Sequence, residues 1–315
     1  MLSAQSIRAF RYFAVAVAVC AVSGCAVSGC GTGDPTADRL PVPTSPALTN
    51  TGRAPVPPAA PSPIRTRRDA PPAPRSPGVV LPVPNANFDY QLGGAYPPQN
   101  GVTMVSRDRT DPPVAGVYNV CYVNGFQTQP GERAWWLTNH PTLILRNASG
   151  NPVIDPSWPD EYIFDVSTAA KRNAIATIIG PWIIGCRVSG FQSVEIDNLD
   201  TYTRFSSLSE ADAIAMIELF VSIAHGNGLA IAQKNSPDLV GKRTSIGLDF
   251  AVAEQCGEFN ECDRYTSGYS DLVYVIEYNR AAFTRSCRDF PSLSVVLRDV
   301  QLSTPTNPAY VRDTC

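Results

Sequence analysis

The sequence predicts a (β/α)8 TIM barrel in its C-terminal part, and two observations support this prediction. Strand-like runs recur eight times after about residue 86, with helical or loop stretches between them. Most of these runs are apolar on both faces, as is typical of parallel strands that helices cover. A doubly wound open sheet, which also alternates strands and helices, is the alternative architecture.

The predicted elements follow one another at short intervals. The clearest helix, residues 209–225, begins with the capping pair Ser209 and Asp212 and ends before Gly226. A second helix is predicted over residues 168–183, where apolar side chains recur at helical spacing. The predicted strands span residues 118–124, 142–147, 162–166, 193–198, 229–235, 250–256, 272–278 and 294–300.

The first 30 residues are typical of an export signal. Arg8 and Arg11 precede the apolar run FAVAVAVCAV, which is too short to span a bilayer. VSGC then occurs twice, ending at Cys25 and at Cys30, and a small-residue stretch before Cys is similar to the lipobox of bacterial lipoproteins. We expect residues 1–30 to be a signal or lipoprotein segment, with Cys25 or Cys30 lipidated. An ordinary signal peptide is the alternative, and either one predicts a cell-surface or extracellular protein.

Composition divides the remaining chain into a linker and a domain. Residues 31–85 are rich in Pro, Ala, Ser and Thr without an apolar period, which predicts a disordered linker. Residues 86–315 form the predicted globular domain. The chain has 25 basic and 28 acidic residues and no basic stripe, so a nucleic-acid-binding protein is excluded.

In an exported protein, cysteines are expected to form disulfides. Six of them follow the signal segment, and an even number in an oxidising compartment predicts three disulfides among 15 possible pairings. A zinc site is disfavoured, because there is no C-x-x-C pair and both histidines lie far from the cysteines in sequence. The six cysteines are Cys121, Cys186, Cys256, Cys262, Cys287 and Cys315.

Polar residues cluster where the predicted strands end. In a barrel the carboxyl ends of the strands form the active-site face, and a purely structural strand has no reason to end in this way. Aromatic residues near these ends, among them Tyr122 and Tyr202, are candidates for stacking on sugar rings. The polar strand-end residues are Asn124, Asp165, Asp197, Asn198, Lys234, Glu254, Glu277, Arg298 and Asp299.

The carboxylates among them suggest glycoside hydrolysis. Glu195 and Asp197 share a strand face, with Asp197 nearer the rim. Glu254 ends a strand lined by alanines, and apolar surroundings predict a raised pKa for it, whereas polar neighbours keep Asp197 ionised. A proton donor and an anionic partner are what an oxocarbenium-like transition state requires. In the structural alternative, these acids only form ion pairs with Lys234 and Arg298.

Several segments resemble glycoside hydrolase family 114, the endo-α-1,4-polygalactosaminidase family. The resemblance covers nearly all of residues 86–315 and is carried by FDYQLGG (88–94), VCYVNGFQTQP (120–130), EIDNLDTYTR (195–204), IAQKN (231–235), FAVAEQC (250–256) and VIEYN (275–279). It implies a (β/α)8 barrel that hydrolyses α-1,4-linked galactosamine polymers without a metal or organic cofactor. Ile196 departs from the pattern, in which a proline is expected.

The resemblance also implies roles for individual residues. The catalytic pair matches one acid of the run Glu195 to Asn198 together with Glu254. Its position nearer the rim favours Asp197, with Glu195 as the alternative. The residues matched as substrate contacts are Asp165, Asp200, Tyr202, Lys234 and Glu277, and the strand-end residues Tyr122 and Asn124 are further candidates for substrate binding. The sequence thus predicts an exported glycosidase that retains anomeric configuration. Its alternatives are a non-catalytic carbohydrate-binding lipoprotein on the same barrel, and a hydrolase of another α-linked polysaccharide.

Overall fold

A computed structural model of the chain describes residues 78–315. The predicted export segment, both candidate lipidation sites and most of the predicted linker lie outside the described residues. No helix within residues 78–315 is both long enough and apolar enough to cross a membrane.

The centre of the described region is a single sheet of nine strands, hydrogen-bonded in the order in which they follow along the chain. The first eight strands are parallel to their neighbours, and the ninth is antiparallel to the eighth. The strands are β1 (Phe88–Gln91), β2 (Met104–Asp108), β3 (Tyr118–Asn124), β4 (Ser193–Asp197), β5 (Ala230–Lys234), β6 (Phe250–Glu254), β7 (Val273–Glu277), β8 (Ser294–Arg298) and β9 (Arg312–Thr314).

The last strand covers the seam where the sheet curves back on itself. Arg312 of β9 donates from Nη2 to the carbonyl oxygen of Phe88 in β1, at 3.2 Å. Beneath it, Arg298 Nη1 of β8 lies 3.5 Å from Asp89 Oδ1 of β1, and both side chains are fully buried. The sheet is therefore a nearly closed barrel, which confirms the predicted fold class.

Helices connect the strands from β3 to β8. The two longest begin at side-chain caps, because Thr168 Oγ1 accepts from the amide of Lys171 and Ser209 Oγ accepts from that of Asp212. The helices are α1 (Arg133–Asn139), α2 (Ala169–Ser189), α3 (Thr201–Arg204), α4 (Glu210–Gly226), α5 (Arg243–Ile246), α6 (Cys262–Tyr269) and α7 (Arg280–Asp289).

Two of the predicted strands are wrong. Residues 142–147 and 162–166 are not barrel strands, but contribute isolated antiparallel bridges such as Ile144 to Phe164 within the long β3–α2 connection. Their apolar side chains pack against the outer face of the barrel. The true first strands, β1 and β2, are short and interrupted by polar residues, so they lack the apolar runs that are typical of the other strands.

Side-chain alternation separates two cores. Inside the barrel, Phe88, Met104, Val120, Phe250 and Tyr274 fill the half nearest the strands' amino ends. Outside it, the strands' other faces pack against α2 and α4 in a larger apolar cluster. Charged side chains therefore occupy the remaining half of the interior, toward the carboxyl ends.

Covalent and polar contacts hold the connections to the barrel. The six cysteines form three disulfides, Cys121–Cys186, Cys256–Cys262 and Cys287–Cys315, as their even number predicted. The predicted linker extends to residue 85, but its last residues contact the barrel. The Tyr118 and Tyr274 hydroxyls donate to the carbonyl oxygens of Val80 and Val83.

Candidate active site

A buried lysine lies at the centre of the candidate site. Lys234 is the last residue of β5, and its side chain is 2% exposed. Its Nζ lies 3.2 Å from Glu195 Oε1, 3.4 Å from Asp197 Oδ1 and 3.5 Å from Glu254 Oε2. Burial lowers the pKa of Lys234, but the three carboxylates outweigh it and hold that pKa well above its usual value.

Glu195 is the deepest of the three acids. Its side chain is fully buried, and it accepts hydrogen bonds from the Tyr90 hydroxyl at 2.6 Å and from Ser106 Oγ at 3.0 Å. Burial raises its pKa, although Lys234 and Tyr90 act in the opposite direction. A carboxyl group enclosed in this way positions its neighbours and has no path to a polymer in solution.

Asp197 lies above Glu195 at the end of β4, and 18% of its side chain is exposed. It accepts from the Tyr122 hydroxyl at 2.7 Å on Oδ2 and from the Asn198 amide at 2.8 Å on Oδ1. Burial alone raises its pKa, but Lys234 and these hydrogen bonds outweigh burial and bring the pKa below its usual value. Asp197 is therefore an ionised carboxylate at an open position.

Glu254 completes the group at the end of β6, with 24% of its side chain exposed. The alanine-lined, isolated setting expected for it is wrong, because its Oε1 accepts from the Tyr278 hydroxyl and its Oε2 faces Lys234. Its backbone amide donates to Asn235 Oδ1 at 2.8 Å. Neighbours from β5 and from the end of β7 thus fix both the backbone and the carboxyl group of Glu254.

The chain turns sharply after each of the three strands that carry these groups. Asn198 after β4, Asn235 after β5 and Gln255 after β6 have φ values of 64°, 47° and 59°. Left-handed backbone is uncommon for residues other than glycine, and it concentrates at functional sites. These turns leave Asp197, Lys234 and Glu254 as the last side chains directed into the barrel.

A second polar cluster adjoins the first on the side of β3. Asn124 Oδ1 accepts from Asn198 Nδ2 at 3.1 Å, and Asn124 Nδ2 donates to Glu161 Oε2 at 2.9 Å. Gln127 Nε2 donates to Asp155 Oδ2 at 2.8 Å and to Asn198 Oδ1 at 3.1 Å. The β3–α2 connection is thereby fastened to the residue that follows Asp197.

The other residues predicted to contact substrate lie at different distances along the chain from this centre and have different partners. Tyr122 and Asn124 line the interior beside Asp197. Asp200 precedes α3 and pairs with Arg204 at 3.2 Å, while Tyr202 is half-buried in α3. Asp165 precedes α2 and pairs with Lys171 in its first turn. Burial raises the pKa of Asp165, but Lys171 and Ser167 outweigh burial and bring that pKa below its usual value.

Glu277, another of the residues predicted to contact substrate, does not face the barrel interior. Alternation along β7 places Tyr274 and Ile276 inside the barrel and Glu277 outside it. Its Oε1 accepts from the Gly257 amide at 2.7 Å, and burial raises its pKa to about 7. Glu277 therefore supports the loop that follows Glu254.

Sequence reasoning missed three residues of the site. Tyr90 was missed because β1 was not recognised, although FDYQ is part of the quoted FDYQLGG motif. Tyr278 was missed because nothing in a sequence shows that its hydroxyl reaches a carboxylate. Glu161 lies in a connection of more than forty residues with no apolar period to place it.

A parallel barrel with carboxylates at the carboxyl ends of its strands is an arrangement that glycoside hydrolases use. The sequence identifies the family: the chain belongs to glycoside-hydrolase family GH114, whose family model matches residues 68–315. This confirms the family resemblance and identifies the chain as a glycoside hydrolase. No curated protein matches the sequence.

Two solved structures share the fold. Aspergillus fumigatus Ega3, crystallised in complex with galactosamine, superimposes with a TM-score of 0.61 at 19% identity, over 77% of this chain and 100% of its own. The glycoside hydrolase domain of PelA from Pseudomonas aeruginosa gives a TM-score of 0.50 at 11% identity, over 73% of this chain and 98% of its own. At these identities the likeness establishes the fold alone.

Proposed function

We propose that the protein hydrolyses α-1,4-linked polymers of galactosamine or N-acetylgalactosamine, with Asp197 as nucleophile and Glu254 as proton donor. One observation carries the choice of residues: three acids surround Lys234 Nζ, and only Asp197 and Glu254 have exposed side chains. Glu195, the alternative to Asp197, is fully enclosed, and in this proposal it holds Lys234 and Tyr90 in place.

The reaction proceeds in two displacements. Asp197 attacks the anomeric carbon while Glu254 gives its proton to the glycosidic oxygen, so the carbon–oxygen bond breaks and the leaving sugar departs as an alcohol. Glu254, now ionised, then takes a proton from water. The hydroxide oxygen bonds to the anomeric carbon, and Asp197 leaves as a carboxylate with Glu254 protonated again.

The spacing of the two acids supports retention of configuration. Asp197 Oδ1 and Glu254 Oε2 are 3.4 and 3.5 Å from the same Lys234 Nζ, which limits their separation. These oxygens are therefore at most about 7 Å apart, and retaining enzymes place the two carboxyl groups roughly 5–5.5 Å apart. Inverting enzymes use separations of roughly 6.5–9.5 Å, so most of that range is excluded for this pair of oxygens.

Family membership and charge support the substrate. GH114 is the family that the sequence resemblance connects with galactosamine polymers, and Ega3 was crystallised with galactosamine. Deacetylated galactosamine units are cationic, and the ionised Asp197 at the mouth of the barrel attracts cations. Three disulfides and the N-terminal signal pattern support an exported enzyme, whether anchored by lipid or released.

Azide rescue of alanine variants tests the two roles separately. In Asp197→Ala, azide occupies the space of the nucleophile and attacks from that face, so an α-glycoside with an activated leaving group should give a β-glycosyl azide. In Glu254→Ala, Asp197 still forms the glycosyl-enzyme, and azide should then give the α-glycosyl azide. Identical products from the two variants, or rescue of neither while Glu195→Ala is rescued, would overturn the assignment.

A further inference from the structure

Glu161 lies beside Asp197 although it comes from the distant β3–α2 connection. The barrel register pairs Asn124 of β3 directly with Asp197 of β4. Asn124 in turn donates to Glu161 Oε2 at 2.9 Å, and the Glu161 residue is 7% exposed. The carboxyl group of Glu161 is thus held over the β3 side of the candidate nucleophile.

The position of Glu161 matches the place where an amino sugar carries its nitrogen. The nitrogen of galactosamine is on the ring carbon next to the anomeric carbon, so a sugar in reach of Asp197 brings its nitrogen close to the neighbours of Asp197. On the β5 side that neighbour is the Lys234 ammonium group, 3.4 Å from Asp197, which repels another cation. On the β3 side the neighbours are Tyr122, Asn124 and Glu161. The nearby cation there is Arg204, and its guanidinium is already paired with Asp155 and Asp200.

The β3 side also has a free acceptor. Gln127 is fully buried, and its Nε2 donates to Asp155 and Asn198, but its Oε1 has no hydrogen-bond partner among residues 78–315. Buried acceptors without partners are uncommon in folded proteins, and such groups suggest a missing donor. An ammonium group supplies three donors.

We propose that Glu161 is a specificity-determining residue that recognises the amino group of the galactosamine unit attacked by Asp197. This inference rests on the proposed function, and it deepens it by assigning the preference between free and acetylated amines to one side chain. With a charged amine bound, the Glu161 carboxylate forms an ion pair with it. An N-acetylated sugar has no charge there and leaves Glu161 without that partner.

The electrostatic surroundings of Glu161 make this recognition dependent on a proton. Burial raises the pKa of Glu161 to about 8, and the nearby carboxylates Asp197 and Asp155 raise it, whereas Asn124 and Arg204 act to lower it. Tyr122 also lies within its field, as a neutral phenol. Free enzyme at about pH 6.5 therefore carries a protonated Glu161. An arriving ammonium group favours the carboxylate, so Glu161 releases its proton to solvent on binding.

Glu161→Gln is the decisive variant, because its amide oxygen can still accept from Asn124 while its charge is lost. We expect its kcat/KM on deacetylated oligomers to fall by about ten- to a hundredfold, the value of one charge-assisted hydrogen bond. Its kcat/KM on N-acetylated oligomers should stay within about twofold of wild type. Glu218→Gln, the same change at an exposed position of α4, is the matched control and should change neither. Equal losses on both oligomers would overturn the inference while leaving hydrolysis intact.

A binding measurement separates this inference from the hydrolysis itself. Titration calorimetry on the Glu254→Gln enzyme, in two buffers of different ionisation enthalpy, counts the protons released when the deacetylated oligomer binds. We expect release with Glu161 present, and none in Glu161→Gln/Glu254→Gln or with N-acetylated oligomer. An enzyme that binds with this signature but never cleaves contradicts only the proposed function. Proton release that persists without Glu161, or no binding of the deacetylated oligomer, contradicts the inference.

Discussion

Lys234 Nζ lies 3.4 Å from Asp197 Oδ1, and this contact determines the charge of the candidate nucleophile. Burial favours a neutral carboxyl group at Asp197, but the lysine and the Tyr122 hydroxyl together bring its pKa below the usual value. Glu195 and Tyr90 hold the lysine from beneath, at 3.2 and 3.0 Å. The enclosed half of the site thus keeps its exposed half ionised.

Lys234→Met should therefore move the pH dependence of catalysis. Removing the cation raises the pKa of Asp197, so the acidic limb of kcat/KM should shift upward by about one pH unit or more. The variant should also be less stable by about 3–5 kcal/mol, because buried carboxylates lose their partner. The pH profile of kcat/KM, with circular dichroism to verify folding, measures both effects.

Two further variants keep this prediction testable. Lys242→Met removes an exposed lysine that pairs with Glu210, and its pH profile should match wild type. If Lys234→Met does not fold, Tyr122→Phe removes the hydroxyl that donates to Asp197 at 2.7 Å and should move the limb in the same direction by less. An unchanged limb in a folded Lys234→Met enzyme would show that Asp197 does not set it.

The Tyr278 hydroxyl should matter for rate more than for stability. It donates to Glu254 Oε1, so Tyr278→Phe frees the carboxyl group to rotate away from the glycosidic oxygen. We expect kcat to fall by about tenfold, a fraction of what a positioned acid contributes. Tyr118→Phe is the matched control, since its hydroxyl donates to the Val80 carbonyl at the opposite end of the barrel. Equal activity of the two variants would exclude this role of Tyr278.

Glu277 should make the protein less stable at neutral pH than at mildly acidic pH. Its pKa rises from 4.5 to about 7 on folding, so its favourable contribution is complete below pH 4.5 and is lost as pH rises through about 7. Glu277→Gln keeps an acceptor for the Gly257 amide and has no charge to bury. At pH 8 it should exceed wild type in free energy of unfolding by at most about 3 kcal/mol, and near pH 4 by less.

Urea denaturation at several pH values measures this difference. Glu218→Gln, an exposed change on α4, controls for altered net charge. A stability difference between Glu277→Gln and wild type that does not vary with pH would show that Glu277 is not the group that titrates.

The three disulfides should differ in their contribution to stability according to the chain they close. Cys121–Cys186 spans 65 residues, Cys287–Cys315 spans 28 and Cys256–Cys262 spans 6. Loop-closure entropy predicts losses of about 4, 3.5 and 2 kcal/mol for the corresponding double-alanine variants. Calorimetric unfolding midpoints that fall most for the Cys121–Cys186 variant and least for the Cys256–Cys262 variant would support this prediction. The Cys256–Cys262 variant should lose the least stability but the most activity, because its loop directly follows Glu254.

The sequence predicts the barrel because six of its strands, β3 to β8, carry apolar runs on both faces that helices must cover. The sequence does not predict β1 and β2, because their polar residues interrupt the apolar pattern. Those residues bond to the charged side chains inside the barrel and to the strands at its seam. The runs at 142–147 and 162–166 were mistaken for strands because an apolar segment packed outside a barrel has the same composition as one within it.

The sequence likewise predicts part of the candidate site. Asp197, Lys234 and Glu254 are strand-end residues, and the parallel register gathers such residues without further information. Glu277 also ends a strand, but consecutive residues of a strand point to opposite faces. The sequence did not determine where β7 ends, and so it did not determine which face Glu277 occupies. Tyr90 and Glu161 reach the site by barrel closure and by a long connection, which no local pattern encodes.

Product release from α-1,4-linked galactosamine polymer, measured for wild type, Asp197→Asn, Glu254→Gln and Glu195→Gln, tests the central claim most directly. The account predicts turnover by wild type and a loss of at least about a thousandfold in Asp197→Asn and Glu254→Gln, with the fold intact by circular dichroism. Glu195→Gln should retain part of the activity, since its partners Tyr90 and Ser106 can still bond to the amide. An active Asp197→Asn beside an inactive, folded Glu195→Gln would contradict the account.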